Sequence, residues 1–138
     1  MKNIILAGLL AGVASLPAQA QNPIIRDVFT ADPAPLVYRD TLFLYTGHDT
    51  ASVKETNYKM PDWRIYSTTD MVHWKKYSTR LSVRRFAWST NNAYAAQCVY
   101  RNGKFYWFVA TFHKKDENSQ GIGVASQTRS RAWQIACQ

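Results

Sequence analysis

The carboxylate of Asp32 is the group in this sequence best suited to chemistry. It lies in the segment Thr30–Pro35 (Thr-Ala-Asp-Pro-Ala-Pro), directly before a run of apolar and aromatic residues. Pro33 and Pro35 fix their own backbone torsions and favour an extended conformation in the residue before them. The segment is therefore predicted to be an extended loop that aims the carboxylate. From the spacing alone, the alternative is an ordinary aspartate of a turn.

The histidines and cysteines form no metal-binding pattern. His73 and His113 are far from each other and share no ligand motif with the remaining histidine. Cys98 and Cys137 are the two cysteines, and they could pair in an oxidising compartment. Because Cys98 occupies an apolar strand position, we interpret it as a buried free thiol. Neither a metal nor a cofactor is predicted.

The elements that would position these groups are β-strands. Short runs rich in β-branched and aromatic residues recur along the chain. Asn102-Gly103 between two such runs is a strong hairpin signal, because both residues tolerate positive φ. No useful window shows the 3.6-residue apolar period of a helix, so the predicted fold class is all-β. The predicted strands are 36–38, 41–46, 64–67, 74–77, 97–100, 104–109 and 121–125.

The strand pattern repeats with a period of about 60 residues. A four-stranded unit of that size, repeated in tandem, is typical of a β-propeller blade, and the chain has room for about two. Since a ring needs at least four blades, we interpret the chain as part of a longer protein. The matched features are Val37–Arg39 with Val99–Arg101, Ile65–Ser67 with Gly123–Ala125, and Trp74 with Trp133.

Residues 1–20 are predicted to be a secretory signal peptide, with Lys2 before an apolar stretch and Ala18-Gln19-Ala20 as the cleavage site. The mature protein is then expected in the periplasm or outside the cell. No other apolar stretch reaches membrane length, so no membrane span is predicted. The 138 residues carry a net charge of +8, but the basic residues are scattered, and their densest cluster, 80–85, is predicted to be a solvated loop. With export, this argues against a nucleic-acid partner.

Four motifs taken together resemble glycoside hydrolase family 43, and the resemblance covers about Pro23–Ala125. It implies a five-bladed β-propeller, of which residues 21–125 would form about two four-stranded blades. It also implies a hydrolase whose partner is a plant polysaccharide or oligosaccharide that contains arabinose or xylose. The motifs are Thr30–Pro35, Leu42–Asp49, Tyr66–Trp74 and Arg101–Tyr106.

The resemblance implies an inverting mechanism in which Asp32 is the general base on water. It places the general acid and a pKa-tuning aspartate on later blades, beyond this chain. Glu55 and Glu117 lie beside lysines, which would lower the pKa that a general acid needs raised, so neither is predicted to replace the acid. The chain alone is expected to be inactive. The alternative is a non-catalytic carbohydrate-binding or interaction module made of partial blades.

Further residues are predicted to line a sugar pocket. His48 and Asp49 resemble a family position near the base, with a polar strand end as the alternative. Tyr94 stands where the family commonly has tryptophan and keeps an aromatic face for the sugar. Trp63 is a candidate for stacking on a sugar, with a role in the core as the alternative. Asp70 is instead predicted to bond turn amides. Some family members hold calcium, but no ligand set for it is visible in this sequence.

The resemblance stops after Ala125. Residues 126–138 contain no Asp, Gly or Pro, and we interpret them as an aberrant tail of the kind that a shifted reading frame or a misassembled gene end produces. The sequence leaves open arabinose against xylose, exo against endo cleavage, and the oligomeric state.

Overall fold

The computed structural model describes residues 23–90 and 92–128. Within these residues the secondary structure is β-strands and one short 3₁₀ turn, so the all-β class is confirmed. The described part of the chain has no helix that is long and apolar enough to cross a membrane. The predicted signal peptide, 1–20, lies outside the described residues. The elements are β1 (Phe29–Tyr38), β2 (Thr41–Asp49), β3 (Asp62–Thr68), β4 (Lys75–Ser82), the 3₁₀ turn Val83–Arg85, β5 (Ala96–Arg101), β6 (Lys104–His113) and β7 (Asp116–Thr128).

The strands form two antiparallel sheets in chain order. β1 to β4 make the first sheet and β5 to β7 the second, and β1 lies against β5. β5 and β6 are joined at Asn102-Gly103, whose φ angles are 51° and 78°. Two positive φ angles give a two-residue hairpin the twist of its strands, and Arg101 pairs with Lys104 across it. The predicted hairpin is confirmed.

The internal repeat corresponds to equivalent strands of the two sheets. Ile65–Ser67 lies in β3 and Gly123–Ala125 in β7, the third strand of each sheet. Val37–Arg39 and Val99–Arg101 both stand where the first strand runs into its hairpin. Trp133, the partner proposed for Trp74, lies outside the described residues. The repeat therefore reflects one antiparallel sheet pattern built twice.

The last strand extends beyond the boundary predicted from the sequence. β7 continues through residues 126–128, and Thr128 pairs with Lys104. The hydrogen bonds of a strand pair depend on backbone groups and not on side-chain type, so the pairing continues as far as β6 offers a partner. Residues 129–138, the rest of the predicted tail, lie outside the described residues.

The core lies between the two sheets. Alternation along β2 sends Phe43 and Tyr45 to one face, and Tyr45 meets Trp107 of β6 edge to face with 4.9 Å between ring centroids. Each large apolar side chain buried there contributes about 1.5–3 kcal/mol. Cys98 is a free, buried thiol in this layer, as predicted. The other buried apolar residues are Ala34, Met60, Trp63, Ile65, Leu81, Val83, Ala93, Phe105 and Val109.

The basic stretch 80–85 is not the solvated loop that the sequence predicted. Its first residues belong to β4, and Val83–Arg85 forms the 3₁₀ turn. Leu81 and Val83 are only 3% and 1% exposed. The two apolar side chains between the basic ones enter the core, while Arg84 and Arg85 stay exposed. Charge density alone was misleading because alternation places neighbouring side chains on opposite faces.

The chain crosses from the first sheet to the second with two aromatic rings against β7. A Cβ added at Gly123 would lie 2.5 Å from the ring of Phe86, and one added at Gly121 would lie 2.7 Å from Trp88. The absent side chains of these glycines make room for the rings. Phe86 also meets Trp63 of the first sheet edge to face, at 6.5 Å. The crossover therefore joins the two sheets.

The turn between β3 and β4 is closed by Asp70. Its Oδ1 accepts hydrogen bonds from the backbone N–H groups of Val72 and His73, at 2.9 and 2.8 Å. Its structural role is confirmed. β4, which follows, is an edge strand of the first sheet.

Candidate functional site

Asp32 lies in a bulge inside β1. Ala31 pairs with Gly47 and Ala34 with Tyr45, so Asp32 and Pro33 together oppose the single residue Thr46. The φ angle of Asp32 is 51°. The expectation of an extended loop before the first strand is therefore wrong, since the strand already begins at Phe29 and Asp32 adopts the left-handed region.

This backbone conformation is uncommon for a residue with a side chain. A positive φ is rare outside glycine, although aspartate tolerates it better than most residues. The residue before a proline is ordinarily extended. Strand bulges commonly redirect a side chain beside a functional site. Here the bulge leaves the side chain of Asp32 exposed at the edge of the first sheet.

The other candidate residues lie at the same end of the strands as Asp32. His48 and Asp49 end β2 and pair with Thr30 and Phe29 at the start of β1. Tyr94 stands just before β5, and its backbone N–H donates to the carbonyl of Ala110 at 3.0 Å. The structure thus brings His48, Asp49 and Tyr94 to the same end of the two sheets.

His48 is buried in a network of polar contacts with Asp62 and Arg64. Its Nδ1 lies 3.0 Å from Oδ1 of Asp62, and Nη2 of Arg64 lies 3.2 Å from its Nε2. Arg64 Nε also donates to Asp62 Oδ1, at 3.4 Å. The same Nη2 lies 3.1 Å from Nδ1, so the guanidinium of Arg64 contacts both ring nitrogens of His48.

Asp49 anchors the loop that follows β2. Its Oδ1 accepts from the backbone N–H groups of Ala51 and Lys59, at 2.8 and 2.9 Å. Thr50 N–H donates to the carbonyl of Lys59 at 2.8 Å and closes the same loop. Asp49 therefore holds a rim of the candidate site in place.

Trp63 does not have the exposed face that stacking on a sugar requires. Its side chain is fully buried, with 0% of the residue exposed. Trp63 stands two residues before Ile65 in β3, so both side chains lie on the face turned toward the second sheet. Its indole Nε1 donates to the carbonyl oxygen of Tyr94 at 2.6 Å. From the core, Trp63 thus holds the segment that carries Tyr94 in place.

The ring of Tyr94 is partly buried against one aromatic neighbour. It meets Phe112 edge to face, with 5.1 Å between ring centroids. The adjacent Ala93 donates its N–H to the carbonyl of Met60 at 2.6 Å. The loop before β3 and strand β6 thus both hold the segment that carries Tyr94.

A groove of about 670 Å³ opens at this end of the strands, and its walls come from four parts of the chain. Of its lining residues, only His48 is a site residue predicted from the sequence. Asp62 could have been found from its position two residues before Arg64, because an i, i+2 pair shares a strand face. The other lining residues are Thr50, Lys59, Pro61, Ser82, Val83, Arg84 and Asn92.

Glu55 is unsuited to act as a general acid. It forms an ion pair with Lys59, and this hydrogen-bonded lysine holds the pKa of the carboxyl below its usual range. A general acid needs the opposite shift, so the prediction for Glu55 agrees with the structure. The side chain of Glu117 lies outside the described part of the structure.

The described residues thus form two antiparallel β-sheets, with a redirected carboxylate in the first and a polar groove at one end of the strands. The chain belongs to glycosyl hydrolases family 43, whose sequence profile matches residues 20–133. The resemblance seen in the sequence is confirmed.

Individual relatives agree with this assignment. A xylosidase/arabinosidase of Bacteroides ovatus is 30% identical over 105 residues, which are 70% of this chain and 31% of that protein. Xylosidase/arabinosidase 43A of Humicola insolens is 23% identical over 113 residues, 76% of this chain and 35% of that protein. The chain thus spans about a third of the length of these relatives.

Solved structures show the same fold. A family-43 enzyme from Xanthomonas citri, complexed with xylotriose, superposes with a TM-score of 0.67 at 23% identity, over 79% of this chain and 31% of that chain. The RS223 β-xylosidase gives a TM-score of 0.62 at 26% identity, over 75% and 33% of the two chains.

Proposed function

We propose that this chain belongs to an inverting glycoside hydrolase that cleaves O-glycosidic bonds in arabinose- or xylose-containing polysaccharides or oligosaccharides, with Asp32 as the general base. The observation that carries the proposal is the bulge that turns Asp32 out of β1 at a φ of 51°. A strained, exposed carboxylate at a sheet edge has no evident role in stability. The family assignment and the named xylosidase/arabinosidase relatives support the substrate class.

In this mechanism Asp32 takes a proton from the water that attacks the anomeric carbon. The general acid protonates the leaving oxygen from the opposite face of the sugar, with the two carboxyl groups about 6.5–9.5 Å apart. We assign the acid and the aspartate that tunes its pKa to later blades of the family fold. The lowered pKa of Glu55 argues against it as a local replacement.

His48 and Tyr94 are proposed to border the sugar. His48 lines the groove, and its contacts with Asp62 and Arg64 fix the orientation of its ring. Tyr94 is held by Trp63 and by Phe112 at the same edge. We therefore place Trp63 behind the site, where it positions Tyr94, and Asp49 in the loop that frames it.

The two sheets are proposed to be the first two blades of a five-bladed propeller. The repeat of about 60 residues and the contact of β1 with β5 support this arrangement. Residues 1–20 are proposed to direct export to the periplasm or beyond, and to be removed there.

The test begins with the exported protein in its native host, whose mass is measured first. A product of about 35 kDa or more fits five blades, whereas one of about 13 kDa is this chain without its leader. The purified product is then assayed on 4-nitrophenyl α-L-arabinofuranoside and 4-nitrophenyl β-D-xylopyranoside. NMR of the first sugar released reports inversion or retention.

Asp32→Asn is the decisive variant, and Asp40→Asn is its control. Asp40 is also exposed, but it lies in the turn after β1, at the opposite end of that strand from the site. A general base contributes about 10²–10⁴-fold, so kcat should fall by that factor in Asp32→Asn and stay unchanged in Asp40→Asn. An Asp32→Asn variant of full activity would overturn the role of Asp32. A product that binds xylotriose and hydrolyses neither substrate would support the binding-module alternative.

A further inference from the structure

The groove lined by His48 has a cationic rim, and we propose that this rim binds the carboxylate of a uronic acid residue in the polysaccharide. This inference rests on the proposed function, since it places an acidic sugar next to the pentose site. The charged groups at the rim are Arg84 and Lys59. Beside them lies the hydrogen-bonded network of His48, Asp62 and Arg64.

The buried acidic group at the groove does not cancel the charge of the rim. Asp62 is 5% exposed, and its Oδ1 is engaged by His48 and by Arg64 at 3.0 and 3.4 Å. The charge of this carboxylate is matched by the guanidinium of Arg64 within the same network of contacts. An anion that enters the groove therefore meets no net charge from Asp62 and Arg64, and the rim residues determine the electrostatic potential there.

Arg84 carries the larger part of the positive charge at the rim. It is exposed, and its backbone is fixed in the 3₁₀ turn, where Ser82 Oγ accepts the Arg84 N–H at 3.3 Å. Lys59 contributes less because it is paired with Glu55. The amide of Asn92 adds a neutral donor to the same wall.

The chemistry of this rim selects a carboxylate among the groups that a plant polysaccharide offers. Arabinose and xylose units are neutral and gain little from a guanidinium. A uronic acid brings a planar carboxylate, which matches the fork of two N–H donors that arginine presents. Such a contact at an open groove is partly screened, so it gives several-fold selectivity.

The experiment compares ligands that differ only in charge. The first ligand is a xylo-oligosaccharide with one glucuronic acid side group, and the second is the same compound with its carboxyl reduced to the alcohol. Kd is measured by calorimetry on the full chain at low and high salt. Trigalacturonate forms a separate arm, which distinguishes a pectic source of the carboxylate from a xylan side group.

We expect the acidic xylo-oligosaccharide to bind about fivefold more tightly than its reduced form at low salt, with a smaller ratio at high salt. Arg84→Gln should abolish the ratio. Arg85→Gln should preserve it, because Arg85 is also a charged, exposed residue of the same turn but does not line the groove. Circular dichroism of both variants checks that their folds are intact.

Each other outcome contradicts a different statement. Equal Kd values for the two ligands, or a ratio that survives Arg84→Gln, overturn the uronic acid site while the pentose site stands. A preference for trigalacturonate overturns the xylan source. Failure of both xylo-oligosaccharides to bind overturns the proposed pentose site together with the inference built on it.

Discussion

The indole Nε1 of Trp63 donates a hydrogen bond to the carbonyl oxygen of Tyr94 at 2.6 Å. This contact joins a fully buried residue of the first sheet to the segment that enters the second sheet. It explains how a fully buried residue can set the position of one that is proposed to border the sugar. The same segment receives a second anchor where Ala93 N–H meets the carbonyl of Met60 at 2.6 Å.

Replacing Trp63 by phenylalanine should destabilise the chain by about 2–4 kcal/mol, because it leaves a cavity and a carbonyl without its donor. Urea unfolding followed by fluorescence or circular dichroism measures the change. Trp74→Phe is the control, since Trp74 is only half-buried and its Nε1 lies 3.3 Å from the Met71 carbonyl in an exposed turn. Equal losses in the two variants would contradict the special role of the Trp63 contact.

Replacing Gly123 by alanine should cost about 1–3 kcal/mol, because the new methyl group would overlap the ring of Phe86. The added Cβ would stand 2.5 Å from that ring. A smaller side chain at the second position should restore part of the loss, so the double variant Gly123→Ala, Phe86→Leu should be less destabilised than the sum of the single variants. Strict additivity in urea unfolding would show that the ring moves away without cost.

Asp70 should make the free energy of unfolding depend on pH in the acidic range. Its hydrogen bond with the His73 side chain, followed by those from the backbone N–H groups of His73 and Val72, lowers its pKa below the ordinary value of 3.8. A group whose pKa is depressed in the folded state stabilises the fold above its unfolded pKa, and this stability is lost as the pH falls further.

The difference in urea midpoint between the wild type and Asp70→Asn should therefore be largest above about pH 5 and should shrink below about pH 4. Asp40→Asn, another exposed aspartate of a turn, is the matched control. A difference that stays constant from pH 6 to pH 3 would contradict the assignment of the shift to folding.

The thiol of Cys98 should be inert in the folded chain. Burial raises its pKa to about 11, although a hydrogen bond with Tyr45 acts in the opposite direction. Only the thiolate reacts with alkylating agents, so at pH 8 about one thiol in a thousand is ionised. In the variant Cys137→Ser, iodoacetamide should label Cys98 in urea and not in buffer. Rapid labelling in buffer would contradict the buried thiol. In the unchanged protein, an intact mass 2 Da low would reveal a disulfide.

Much of the fold was predictable because its signals are local. The Asn102-Gly103 hairpin follows from two residues that accept positive φ, and both adopt it. The role of Asp70 follows from its place in a short polar turn. The assignment of the strands required only the enrichment of β-branched and aromatic residues, although the predicted strand ends fell several residues short in β1, β2, β4, β6 and β7.

The surroundings of the candidate site were less predictable because they depend on strand register. His48 and Asp62 are 14 positions apart and meet only because β2 and β3 pair with these residues opposite each other. The burial of Trp63 depends in the same way on which face of β3 meets the second sheet. A shift of one residue in register would reverse both outcomes.

By itself, the sequence determined the all-β class, the family and Asp32 as the leading candidate, because composition, repeat and motif are properties of short segments. Tertiary structure alone decided that Asp32 occupies a bulge, that Trp63 supports Tyr94 from the core, and that Arg84 lines a groove with Lys59. The physical reason is that strand pairing joins residues far apart in the chain, and that alternation then decides which side chains face the core.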